Sequence, residues 1–268
     1  MAAANITPAR SIGSFEQAAA LGQVSGVVHM RKFGYNAEVD AGVIEDVIDG
    51  GGTYAGQPAD ATAEIIEILH PNGADNSSST GMKTVRIVGL KTPTSTAYES
   101  EDITLTGVAT DSASAWWRVV SLRGLTFGSG GTNAGTITAR SKTTTAEIFA
   151  VIQVGVGRSQ IAVFTCPAEC TVGIRDIYIV GRRPANGNGN AVIHMNVRPS
   201  GSGGYAAADD WNITMPGGPA FGYQHTPFIM NAGDDLIVEA HSVSANTTSI
   251  AVNFDAFIYD NDILYSAS

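Results

Sequence analysis

Two cysteines four residues apart, Cys166-Pro167-Ala168-Glu169-Cys170, are the sharpest chemical feature of this chain. They lie between two strand-like segments. A hairpin there would bring their Cα atoms to the ~5.5 Å that a disulfide requires. The loop closed would be tiny, so it would add little stability. The expectation is therefore two reduced, half-buried thiols, with a disulfide between Cys166 and Cys170 as the alternative. The histidines stand at 29, 70, 194, 225 and 241. None pairs with another at metal-ligand spacing and none has a cysteine near it in sequence, so no metal is expected. His194 and His241 alternate with apolar residues, which turns them toward solvent or a subunit interface.

Other chemistry is weakly encoded. The chain has no Gly-x-Ser-x-Gly elbow, no phosphate-binding Gly-x-x-x-x-Gly-Lys and no dinucleotide fingerprint. Glu239 and Asp255 would form a glycosidase pair only if the fold held them roughly 5–9 Å apart. Trp211 and Tyr205, near Asp209-Asp210, have the residue types to stack on a sugar. Asp40, Glu45, Asp46 and Asp49 form an acidic cluster without the ligand order of a calcium loop. No catalytic residue, cofactor or metal ligand is assigned from sequence, and the chain is read as a non-enzyme.

The elements that would position these groups are strands. Of 268 residues, 31 are Gly and only 15% are charged, against roughly 25% in an average soluble domain. Thr, Ser, Asn and Gly fill the gap, which suits strands and tight turns. The net charge of −10 and the lack of a basic run argue against nucleic acid as a partner. No apolar stretch reaches membrane length, and the first residues lack the pattern of a signal peptide.

Ser14 to Leu21 reads as one or two helical turns. The rest of residues 1–60 shows little regular period. It is expected to be an extended arm whose apolar and acidic groups (Val27, Val28, Phe33, Tyr35, Asp40, Glu45, Asp46, Asp49 and Tyr54) contact a partner. Residues 61–141 read as short strands of a small antiparallel β-sandwich. Residues 142–268 hold strand candidates at 147–154, 159–165, 171–181, 190–198, 204–214, 222–230, 235–243 and 248–260, a jelly-roll-like β-sandwich. In 171–181 the apolar phase slips between Ile174 and Ile177, which predicts a bulge near Arg175-Asp176. The fold class is all-β. Trp116-Trp117 should place one indole in the core and one toward the arm or a subunit boundary.

Phe33-Gly34-Tyr35-Asn36-Ala37-Glu38-Val39-Asp40, followed by Glu45-Asp46-Val47-Ile48-Asp49-Gly50-Gly51-Gly52-Thr53-Tyr54, resembles an N-terminal signature of structural proteins of tailed bacteriophages common in marine phages. Residues 85–90, 101–107 and 128–138 are also similar to that family. Its members commonly carry Arg at the place of Tyr35, Pro near Ala37 and Trp near Ile48. The resemblance implies a virion component, assembled in the host cytoplasm. Jelly-roll-type domains of this size suit repeated subunit packing, so the role expected within the virion is a capsid decoration or cement protein, forming a homo-oligomer, with a trimer expected, on the major capsid protein. The alternatives are a tail-attached fibre adaptor or receptor-binding knob, and a carbohydrate-binding or hydrolytic domain.

Overall fold

The computed structural model describes residues 14–57, 62–183, 188–216, 219–224 and 228–262. The described chain is almost entirely antiparallel strand. One short helix, α1 (Phe15–Ala20), precedes β1 (Val27–Val39) and β2 (Glu45–Asp46). Ser14 stands at its N-cap position but makes no side-chain capping bond.

Residues 62–152 build the small sandwich. One sheet holds β3 (Glu64–Leu69), β6 (Ala109–Trp116), β8 (Ile137–Ser141) and β9 (Ile148–Ile152), in the order β6-β3-β8-β9. The facing sheet is β5 (Glu99–Thr104), β4 (Met82–Leu90) and β7 (Arg118–Phe127). Alternate residues such as Ile66, Ile68, Val85, Ile87, Val119 and Leu122 fill the core between them, as the period of two dictates. Strand β6 has no such pattern before its last residue (Ala-Thr-Asp-Ser-Ala-Ser-Ala-Trp), and its pairing with β3 is not readable from composition.

The large sandwich uses β10 (Val163–Thr165), β11 (Cys170–Arg182), β12 (Asn188–Arg198), β13 (Ala206–Pro216), β14 (Ala220–Gln224), β15 (Phe228–Met230), β16 (Asp235–Val243) and β17 (Thr248–Asp260). Its outer sheet runs β1-β17-β11-β14, with β15 also on β11. Its middle sheet runs β10-β16-β12-β13, with β2 also on β16. The 235–243 and 248–260 candidates match strands β16 and β17 to the residue, while 222–230 divides into β14 and β15. The expected bulge in β11 is present. Its register on β17 slips between Arg175 and Tyr178, and Asp176 takes φ 50°.

Two boundaries differ from the sequence reading. Residues 27–57 are no free arm. β1 pairs with β17 from Val27–Tyr259 to Val39–Thr248, and Val39 and Val47 enter the large core. The reason this strand hides in the sequence is its inverted phase. Met30, Lys32, Gly34 and Asn36 point inward, whereas Phe33 and Tyr35 point outward. Gly34 is required there, since a Cβ would sit 2.4 Å from the Ala162 Cβ and 2.5 Å from the Val47 carbonyl oxygen. The second boundary is the junction at 142. Strand β9 pairs with β8 and belongs to the small sandwich, so the crossing between sandwiches falls after Ile152.

The two sandwiches are stacked. Val163 and Ile237, on the far face of the middle sheet, join the small sandwich's core, and Ile48 and Ile161 join with them. The small sandwich thereby covers one end of the middle sheet and leaves the other end bare.

Candidate functional site

The acidic cluster closes a loop of its own chain. Glu45 accepts hydrogen bonds from the Asp40 amide (2.9 Å), the Gly52 amide (3.0 Å) and the Asn36 side chain (3.1 Å). Asp46 accepts from the Tyr54 amide at 2.6 Å, and Asp49 from the Gln160 amide at 2.8 Å. Gly50, Gly51 and Gly52 all take positive φ, which lets the chain turn tightly around the Glu45 carboxylate. Burial raises Asp46 to about 7 and Asp49 to about 6. Burial pushes Glu45 up too, but its three donors outweigh that and hold it below its ordinary value. Tyr54 donates its hydroxyl to the Phe149 carbonyl at 2.9 Å and so ties the loop to β9. The expectation that Glu45, Asp46 and Asp49 contact a partner is corrected. All three are buried, because unsatisfied loop amides capture them first. The Asp40 side chain is exposed.

Phe33 and Tyr35 go elsewhere. Cross-strand register puts them at the head of two rows on the outward face of the outer sheet. One row is Phe33, Asn253, Tyr178 and Tyr223; the next is Tyr35, Ala251, Val180 and Phe221. Five of these eight residues are aromatic. Phe221 is 74% exposed, Tyr223 53% and Tyr178 49%, so this is a bare apolar face rather than scattered surface groups. Tyr178 and Tyr223 stack at 4.5 Å. Asn253 Oδ1, within the first row, is buried with no donor among the described residues. Helix α1 covers only the far end of this face, where Phe15 packs on Phe257 at 6.0 Å. Of the remaining arm residues, Val27 is half-buried opposite Tyr259, and Val28 lines a cleft of about 480 Å³ with Tyr98, Pro167, Cys170 and Ile258.

Cys166 and Cys170 are free thiols, and both are buried rather than half-buried. No hairpin joins them. β10 belongs to the middle sheet and β11 to the outer sheet, so residues 166–169 cross between layers. Burial pushes both thiols up, which keeps them protonated and unreactive. Trp211 lies in the large core and offers no face to a sugar; Tyr205 donates its hydroxyl to Gln57 at 2.6 Å and carries the Arg198 guanidinium over its ring at 4.9 Å. Glu239 and Asp255 sit on the outward faces of opposite sheets with the core between them. Asp255 is held by Arg31 at 2.9 Å and His29 at 3.1 Å. Both indoles of Trp116-Trp117 are buried. Trp117 lies under the Arg118 guanidinium at 4.1 Å.

Two polar groupings on the middle sheet have no sequence signal. The first is buried where the sandwiches meet. Asp235 receives both Arg118 Nε and Nη2 at 3.0 Å, the Arg198 guanidinium, and Thr165 Oγ1 at 2.6 Å. Gln57 donates to Thr165 at 2.9 Å and extends the network. The second stands at the uncovered end. His194, Glu239 and His241 each offer a ligand atom, all within 4.8 Å of one another. The two imidazoles stack at 4.1 Å. Of the other histidines, His70 is buried and bonded to the Asp75 carbonyl at 3.0 Å and Thr110 at 3.2 Å, while His225 lies outside the described residues. The signal for this cluster is a pairing: His194 and Glu239 are register partners across β12 and β16, which strand assignment alone does not give.

No protein-family model matches the chain, and no curated protein is similar to it. Among solved structures, similarity is to the VP2 protein of infectious bursal disease virus. The D431N mutant in T=1 particles is 6% identical, over 87% of this chain and 78% of that one, with a TM-score of 0.13. The Gt strain structure is 9% identical over 87% and 80%, with a TM-score of 0.12. Scores this low carry no argument about fold or role. No helix among the described residues is long and apolar enough to cross a membrane.

Proposed function

We propose that this chain is a non-enzymatic structural protein of a tailed-bacteriophage virion, which associates with itself and decorates or cements the capsid through contacts with the major capsid protein. The observation that carries the reading is the aromatic face of the outer sheet. A row of exposed aromatic side chains is costly in water and favourable when a second copy covers it. The groups read as candidate chemistry are occupied by structural contacts: Glu45, Asp46 and Asp49 by backbone amides, Asp255 by Arg31 and His29. The resemblance of residues 33–54 to phage structural proteins agrees, because those residues form one closed loop and one sheet edge.

Light scattering of the full chain after size exclusion is expected to give a trimer or larger. Phe221→Asp with Tyr223→Asp should yield a monomer that melts within a few degrees of the parent, since both side chains are exposed. A parent that is monomeric at high micromolar concentration would sink the proposal. Copy number in purified virions separates decoration, with many copies, from the tail-attached alternative, with few.

A further inference from the structure

We propose that the middle sheet carries a binding site for one divalent transition-metal ion of the zinc class, formed by His194, Glu239 and His241. The site is built by strand register. β12 and β16 place His194 opposite Glu239 on the face away from the large core. His241 would ordinarily fall further along the strand, but the register slips here: Ile193 pairs with Ala240 and Val192 with Ser242. His241 is thus the extra residue of a β-bulge, the device that re-aims a side chain out of the regular pleat. The result is two stacked imidazoles and one carboxylate whose ligand atoms all lie within 4.8 Å of one another, so a small rotation of one ring brings them onto a common ion.

The distances suit an ion. Glu239 Oε1 lies 3.0 Å from His241 Nδ1 and 3.7 Å from His194 Nδ1. A tetrahedral ion with bonds of about 2.0–2.1 Å separates its ligand atoms by roughly 3.3 Å, between those two values. Two nitrogens and one oxygen favour zinc, nickel or copper over magnesium or calcium, which prefer all-oxygen shells.

Outer partners fix the ligands. His194 Nε2 faces Asp210 Oδ1 at 3.5 Å from the neighbouring strand β13. A proton held on Nε2 leaves the Nδ1 lone pair for the ion, the carboxylate–histidine–metal arrangement of natural sites. Asn196 donates to Glu239 Oε2 at 3.2 Å and leaves Oε1 free. His241 is exposed, so a fourth position stays open to water or a further ligand.

The test is calorimetric titration of the full, chelator-treated protein with Zn²⁺, Ni²⁺ and Mg²⁺. Zn²⁺ should bind at one ion per chain, and Mg²⁺ should not compete. His194→Ala with His241→Ala should weaken Zn²⁺ at least 100-fold while circular dichroism stays unchanged. His29→Ala, as a control on the outer sheet, should bind normally. Asp210→Asn should cost about 10–100-fold, as loss of an outer carboxylate does, and the Co²⁺-loaded parent should show the intense visible bands of tetrahedral coordination. No Zn²⁺ binding by the parent at millimolar concentration, or undiminished binding by the double variant, overturns the proposal.

Discussion

Asp235 and Glu239 lie on one face of one strand, β16, about 13 Å apart at ~3.3 Å per residue. Their fates are opposite. Asp235 is under the small sandwich, buried with two guanidiniums and a hydroxyl. Glu239 is beyond that cover, half-exposed beside two histidines. The strand's periodicity sets which way each carboxylate points. The neighbouring sandwich decides whether it becomes a structural clamp or a group free to bind something. A charge is worth most as a clamp where water is gone, because removing one partner leaves the others buried and unpaired.

The largest break in this comparison comes from deleting residues 1–59. Sequence periodicity alone predicts that the remainder folds. The structure predicts the reverse. β1 supplies an eleven-residue register to β17, and β2 pairs with β16 at Glu239 and Ala240. A chain beginning at Asp60 is expected to aggregate, or to lose the large sandwich while the small one persists. A soluble truncated protein with a single parental melting transition would mean that the β1–β17 pairing contributes little.

The next effect compares the two carboxylates directly. Asp235→Asn leaves Arg118 and Arg198 buried without a full counter-charge. Its expected cost is about 3–5 kcal/mol. At roughly 2–4 °C per kcal/mol for a chain near this size, the melting temperature should fall by about 6–20 °C. Glu239→Gln, in metal-free protein, should stay within about 0.5 kcal/mol. Equal losses in calorimetry would show that cover by the small sandwich does not separate the two sites.

Much of this was legible beforehand, and the misses share a cause. Ile250, Val252, Phe254, Ala256 and Ile258 alternate cleanly, so β17 could be bounded from sequence. The slip in β11 was visible because Ile174 and Ile177 break phase. β1 was missed because its inward positions carry Lys32, Gly34 and Asn36, selected by close approach and hydrogen bonding rather than by apolarity. The Asp235 clamp and the His194–Glu239–His241 cluster were missed because both depend on which strands are neighbours. Arg198 meets Asp235, and His194 meets Glu239, only through the pairing of β12 with β16, Arg118 reaches Asp235 from the other sandwich, and a single chain's periodicity is silent about partners.

Lys32 sharpens the comparison with the smallest expected effect. It is covered like Asp235, yet no carboxylate among the described residues pairs with it. Its ammonium donates only to the Val120 carbonyl. Burial brings it down from 10.5 to about 7. The folded chain therefore binds this proton more weakly than the unfolded chain. Between about pH 7 and 10.5 the unfolded state holds more proton, so the folded state gains stability as pH rises through that window. Below pH 7 the penalty of a covered, unpaired ammonium is fully present. Lys32→Met keeps the apolar stem and removes the charge, so it should melt higher than the parent at pH 6, with the advantage shrinking steadily toward pH 9. Taking the difference between the two proteins cancels the titration of Cys166, His70 and the loop carboxylates, which both share. A difference that is constant across pH 6–9 would mean that Lys32 is not paying for its burial and keeps an ordinary proton affinity. A covered charge would then be tolerable without a partner, and the two guanidiniums on Asp235 would need another explanation.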